Sequence, residues 1–165
     1  MRASRSHRPR WRRALAGALG GAAPAGASSC KAGVKNVSGG FLRTFRGPAT
    51  VSVKVAGRTF RLSQGDCESA SGYLAVNIGV FSSVQRSKSK PNYFGLDVGR
   101  VPGSSSPPVN RDGTYKGAVV MTVVYGGNAY SLIGAATTTL SGNRSRGTVS
   151  GSTLTRQPIS ANFQC

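Results

Sequence analysis

Histidine is nearly missing from this sequence, and acids are scarce. The 165 residues hold one histidine, His7, and four carboxylates, Asp66, Glu68, Asp97 and Asp112. His7 lies in an arginine-rich N-terminal segment, so the body of the chain offers no imidazole for a Ser-His-Asp triad, a Cys-His dyad or a histidine metal site. Asp66 and Glu68 flank Cys67 at i and i+2, and on a strand they share a face. Such a pair can mimic a glycosidase couple or a calcium site. In so basic a chain it reads instead as a pair of partners for Arg or Lys. Asp97 sits in an apolar strand on the face of Tyr93 and Val101, and is expected half-buried against an arginine such as Arg100. There is no G-x-S-x-G elbow and no Gly-rich phosphate loop. The expectation is a chain that is not an enzyme, with no catalytic residue, no metal and no cofactor.

Long apolar runs are lacking too. The longest candidate, "ALAGALGGAA" at 14–23, is too short and too rich in glycine to cross a bilayer, which takes roughly 20 apolar residues. No segment repeats apolar residues at helical spacing over three turns. Aromatics are few, with 1 Trp, 5 Tyr and 6 Phe.

What is abundant is glycine, 23 residues, and positive charge, a net +18. Six cations, Arg2, Arg5, Arg8, Arg10, Arg12 and Arg13, precede the short apolar stretch, and small residues follow it through Ser29. This order of basic, apolar and small segments is that of an export signal, 1–29. The pair Arg12-Arg13 is compatible with twin-arginine export, and general secretion stays open beside it. The remainder is still strongly basic, so anionic lipids or cell-wall polymers are the expected partners, and not nucleic acid, because no stacking motif accompanies the scattered cations. The densest positions are Arg86, Lys88 and Lys90 in "QRSKSK" and Arg144 and Arg146 in "SGNRSRG".

Three cysteines, Cys30, Cys67 and Cys165, leave one unmatched in an exported protein. A Cys67 to Cys165 bridge would pin the last residue to the middle of the domain, and a buried thiol is the alternative. Cys30 follows "ASS" (Ala27, Ser28, Ser29), a lipobox with small residues where they are wanted but without the usual Leu. Acylation of Cys30 competes with ordinary cleavage after Ala27, directed by Ala25 and Ala27.

Residues 30–47 combine glycine, serine and cations with little periodicity, and read as a basic tether with one short strand. From 48 to 165 the pattern is period two: "TVSVKV", "AGRTFRL", "YLAVNIGVF", "YFGLDVGRV", "TYKGAVVMTVVY", "AYSLIGAATTT", "TVSGSTLT" and "ISANFQC". These predict an all-β domain, a small antiparallel β-sandwich or curled sheet of about eight short strands.

Several of these positions together resemble the mycobacterial LpqH lipoprotein antigen family of actinobacteria. They are the cysteine after the signal, "VAGR" at Val55 to Arg58, and Cys67 ahead of "GYLAVNIG". The others are "DGTYK" at Asp112 to Lys116, "YSLIGAAT" at Tyr130 to Thr137 and the last strand ending in Cys165. The resemblance covers about two-thirds of the chain. It implies a non-enzymatic lipoprotein, anchored through Cys30 to the outer face of the plasma membrane and displayed in the envelope, with a disulfide between Cys67 and Cys165. It further implies a surface antigen met by Toll-like receptors where the source is a pathogen. The alternative is a soluble secreted basic β domain that binds anionic envelope polymers or a small lipid, with Cys30 unmodified.

Overall fold

The computed structural model describes residues 33–84, 90–100 and 107–165. The signal segment, Cys30, Arg86 and Lys88 lie outside them. The described residues form ten strands and no helix: β1 (Gly33–Val37), β2 (Gly40–Thr44), β3 (Ala49–Val55), β4 (Arg58–Ala70), β5 (Tyr73–Ser82), β6 (Tyr93–Gly99), β7 (Gly113–Tyr125), β8 (Asn128–Ser141), β9 (Arg146–Ser152) and β10 (Pro158–Gln164). Each of β3 to β10 pairs antiparallel with its neighbours in sequence, and β10 pairs back onto β3, so these eight strands close into a ring. The expectation of an all-β antiparallel domain holds. The strand count is higher than eight, because β1 and β2 form a hairpin in the segment read as a tether.

Alternation decides which side chains fill the ring. Val51, Val53 and Val55 of β3, Leu74, Val76 and Ile78 of β5, and Phe94, Leu96 and Val98 of β6 point inward and are buried. Met121, Val123, Leu132, Val149, Ile159 and Phe163 complete the interior from the other strands. The barrel is therefore a packed core, and each such side chain contributes roughly 1.5–3 kcal/mol by leaving water. Two tight hairpins set the register. Ala56-Gly57 and Gly126-Gly127 both hold positive φ at each position, as two-residue turns between right-twisted strands require.

One strand serves two partners. The first half of β4 pairs with β3 and the second half, from Gly65, with β5. The change is made by a bulge at Gln64, whose φ is 67°, with the register slipping between Ala49 and Thr50. An extra residue would ordinarily turn every later side chain to the wrong face. Here it brings Gly65 and Cys67 inward after Phe60 and Leu62, and leaves Asp66 and Glu68 outside. Gly65 must be glycine, because a Cβ would stand 2.3 Å from the Asn77 carbonyl oxygen.

Cys67 then meets Cys165 across the end of the barrel, and the two form a disulfide with Cα atoms 5.6 Å apart. The last residue is held also by its backbone, with the Cys165 amide donating to the Ser145 carbonyl at 2.8 Å. A bridge closing a loop of 98 residues stabilises by about 4 to 5 kcal/mol in the chain-entropy model.

The β1–β2 hairpin attaches to the far part of β5 through Leu42 to Thr44. Aromatic contacts fasten it. Phe45 lies 5.9 Å from Tyr93, Phe41 lies 6.0 Å from Phe81, and Phe81 meets Tyr93 edge-on at 5.3 Å. The Arg43 guanidinium caps the Phe45 ring at 4.9 Å, a cation–π contact.

Candidate functional site

The outside of the barrel divides into two walls. On β4, β3, β10, β9, β8 and β7 the outward residues align in transverse rows given by the pairing register. One row runs through Arg61, Ser52, Asn162, Thr148, Thr139 and Thr114. The row nearer the Ala56-Gly57 turn runs through Thr59, Lys54, Ser160, Ser150, Thr137 and Lys116. The row nearer the disulfide runs through Ser63, Thr50, Gln164, Arg146 and Ser141. Every position in these three rows is Ser, Thr, Asn, Gln, Lys or Arg, so this part of the wall presents hydrogen-bonding groups and positive charge. Beyond the rows β7 and β8 expose the aliphatic pair Val120 and Ile133, and the exposed Asp112 lies just before β7 at the edge of the third row. Six strands at ~4.8 Å spacing make it roughly 24 Å wide, and three rows make it roughly 13 Å tall.

A groove of about 570 Å³ lies in this wall, lined by Thr50, Ser52, Arg61, Arg146, Asn162 and Gln164 together with the apolar Val51, Leu62 and Phe163. A second, of about 360 Å³, adjoins Lys54, Ser150, Pro158 and Ser160. The Thr114 and Thr139 hydroxyls are 3.0 Å apart, so part of the hydroxyl array is already linked side to side.

The other wall is built by the second half of β4 with β5 and β6, and it carries Asp66, Glu68 and Asp97 outward. Burial raises the Asp66 carboxyl above 3.8, and the Arg43 charge works against that shift. Asp97 is exposed on the wall, not half-buried as expected, and its carboxyl is also raised, by partial desolvation against the protein first and the Glu68 charge second. Its sheet neighbours are Ala75 and Val120. The cation expected beside it is not what sets its ionisation. Glu68 accepts the Tyr73 hydroxyl, which raises the phenol. Tyr93 lies flat over Gly95, donates to Asn77 Oδ1 at 2.7 Å, and is pushed up to about 12 by burial and then by Asp97. Among the described residues no three His, Cys, Asp or Glu side chains gather as metal ligands.

The sequence-based cation set is not brought together as one patch. Arg86 and Lys88 lie outside the described residues, and Lys90 is half-buried in the connection from β5 to β6. Arg146 stands on the hydroxyl wall. Arg144 is turned inward at the barrel end, where its Nη1 donates to the carbonyls of Val109 at 3.0 Å, Ala70 at 3.2 Å and Tyr73 at 3.5 Å. Its backbone holds φ 63°, and its amide donates to Asp112 Oδ1 at 2.7 Å while that of Asn143 donates to Oδ2 at 3.0 Å. These two amides hold the Asp112 carboxyl below its usual range. Arg144 is thus a clamp between the β8–β9 turn, the β4–β5 turn and Val109, which plugs that end of the barrel at 1 % exposure. The sequence reading passed over Lys54, Arg61 and Lys116. The signal for them was the period-two alternation itself, which marks the outward residues of a strand as clearly as the inward ones.

Comparison with known proteins finds no matching family model, no matching curated protein and no matching solved structure. The class that fold and surface define is a disulfide-closed, side-chain-filled antiparallel barrel with one polar, cationic wall.

Proposed function

We propose that the chain is a non-enzymatic envelope protein, exported and held at the outer face of the plasma membrane by a lipid on Cys30. The observation that carries this reading is the Cys67–Cys165 disulfide, which uses two of three cysteines and leaves Cys30 unmatched. Such bonds persist in oxidising compartments outside the cytosol, in keeping with the export-like N-terminus. The barrel itself is no membrane span in this reading. Most of its apolar residues fill the interior and three polar rows cover one side of the outside, with no continuous outward apolar band of the kind a transmembrane barrel carries. Anchoring therefore falls to the segment before β1. The resemblance to LpqH-like lipoproteins points the same way and extends the reading to a displayed antigen, with Toll-like receptors as partners where a host is met.

The intact mass of the protein made in an actinobacterial host tests this. A mature chain beginning at an acylated Cys30, lost when the lipoprotein signal peptidase is inhibited, is the expected result. A mature N-terminus at Ser28 without acyl mass contradicts the anchor. That outcome would leave the second reading, a soluble secreted domain, which the hydroxyl and cation wall favours as a binding surface.

A further inference from the structure

We infer that the wall formed by β4, β3, β10, β9, β8 and β7 is a binding surface for an extended anionic polysaccharide, a sugar or polyol chain carrying phosphodiester groups. Serine, threonine, asparagine and glutamine side chains both donate and accept hydrogen bonds, which matches a ligand covered in hydroxyls. Lys54, Arg61, Lys116 and Arg146 are all exposed on that wall, and each supplies a cation to a phosphate. Lys54 and Arg61 stand on adjoining strands one row apart. Arg61 and Arg146 both line the larger groove, and Ser52 and Asn162 stand on the two strands between theirs, so a chain laid across the strands passes charge, polar groups and charge in turn.

Electrostatics favours this wall over the rest of the surface. Asp66, Glu68 and Asp97 are gathered on the other wall, and Asp112, at the edge of the third row, is occupied by the Asn143 and Arg144 amides, so the four cations outnumber the carboxylates beside the rows. The residue types also separate this ligand from two other polyanions. Single-stranded nucleic acid is held by aromatic platforms on which bases stack, and the rows contain no aromatic residue. Interfacial attachment to a bilayer uses apolar side chains sunk among the acyl chains, and the rows contain none, the exposed Val120 and Ile133 lying beyond them on β7 and β8. What the rows offer is a broad set of hydrogen bonds with four charges, without a stacking or inserting element.

The proposal rests on the envelope reading only for where such a polymer would be met. Binding to the isolated polymer needs no acyl group, so a failed anchor and a failed surface give separate results. The test uses the purified full chain and lipid-free poly(glycerol phosphate), with dextran of similar length, duplex DNA and phosphatidylglycerol vesicles as comparisons. The variant Lys54→Gln/Arg61→Gln/Lys116→Gln/Arg146→Gln removes the wall charges. Lys35→Gln/Arg43→Gln/Lys90→Gln/Arg100→Gln removes the same charge elsewhere. The expected result is a loss of affinity for the polymer of at least about tenfold in the first and less than about threefold in the second, with dextran bound more weakly than the polymer and affinity falling as salt rises. Equal losses in the two variants overturn the proposal, because net charge alone would then explain binding. Preference of the unaltered chain for DNA or for vesicles over the polymer overturns it as well, in favour of that ligand. Thermal melting checks that each variant folds. If the fourfold variant does not, Arg61→Gln and Arg146→Gln singly are each expected to weaken binding by about twofold to fivefold, and no change in either overturns the claim.

Discussion

The two walls of the barrel share one interior and differ on the outside. Val51, Val53 and Val55 under the hydroxyl wall do the same work as Leu74, Val76 and Ile78 under the acid-bearing wall: they are inward residues of paired strands, almost wholly buried. Outward, one wall carries three rows of hydroxyl, amide and cationic groups, with the exposed aliphatic pair Val120 and Ile133 beyond them on β7 and β8, and the other collects Asp66, Glu68 and Asp97 beside Tyr73 and Tyr93. Exposed substitutions away from caps and turns usually shift stability by less than about 0.5 kcal/mol. The folding of the barrel therefore does not demand this division. Inward residues report on how the chain folds, and the outward rows report on what it meets.

The walls are joined on one side by the β6–β7 ladder and on the other at the β4 bulge and the disulfide, and the largest effect is expected from cutting the covalent bridge of that second seam. Cys67→Ser with Cys165→Ser should lower stability by about 4 to 5 kcal/mol in the chain-entropy model, read as a shift in the urea midpoint against the oxidised protein. A loss under about 1 kcal/mol would mean that β10 holds the walls together without the bridge. Next comes the clamp. Arg144→Gln leaves the carbonyls of Ala70 and Val109 without their charged donor, a cost of roughly 1.5–3 kcal/mol. It should also raise amide exchange around Gly72 and Val109, and unchanged exchange there would show that Arg144 does not hold that end.

Acid titration separates the walls more gently, and the sign differs by site. Asp66 and Asp97 are raised by partial desolvation, so the folded state binds their protons more readily than the unfolded state does. Their contribution to stability is present below 3.8 and is lost as pH climbs through their folded values. Asp112, lowered by two backbone amides, contributes above 3.8 and loses that contribution as pH falls through its folded value. Asp97→Asn should therefore flatten the decline of stability on the alkaline side of 3.8, and Asp112→Asn should flatten the decline on the acid side. Urea midpoints measured from about pH 2 to pH 7 check both, and the same slope change in the two variants would contradict the opposite assignments. The smallest effect on stability is expected from removing Lys54, Arg61, Lys116 and Arg146 together. Each is exposed and should cost less than about 0.5 kcal/mol, however strongly it affects binding.

Much of the barrel was legible in the sequence because alternation is a local signal. "TVSVKV" and "YLAVNIGV" name their inward residues within a few positions, and all eight strands of the ring were read this way. The β4 segment after Leu62 was not, because Gln64 inserts one residue and breaks the period just where the strand changes partner. The β1–β2 hairpin was hidden for another reason. Its order comes from Phe41 and Phe45 packing on Phe81 and Tyr93, which are distant in sequence. The candidate site was less legible still. Runs such as "QRSKSK" draw attention to clustered cations, whereas the wall takes Lys54, Arg61, Lys116 and Arg146 from four separate strands that only the register brings onto one side. Arg144, two residues before Arg146 in the turn that leads into β9, has the opposite fate, because a left-handed backbone and Asp112 turn its side chain into the protein.

The central claim is that one wall binds and the other does not, and one titration tests it directly. Amide shifts of the isotope-labelled full chain would be followed as poly(glycerol phosphate) is added. The account expects movement at Ser52, Asn162, Thr148 and Arg61, with little at Glu68, Ala75 and Asp97. Movement confined to the second group, or spread evenly over both walls, would contradict it.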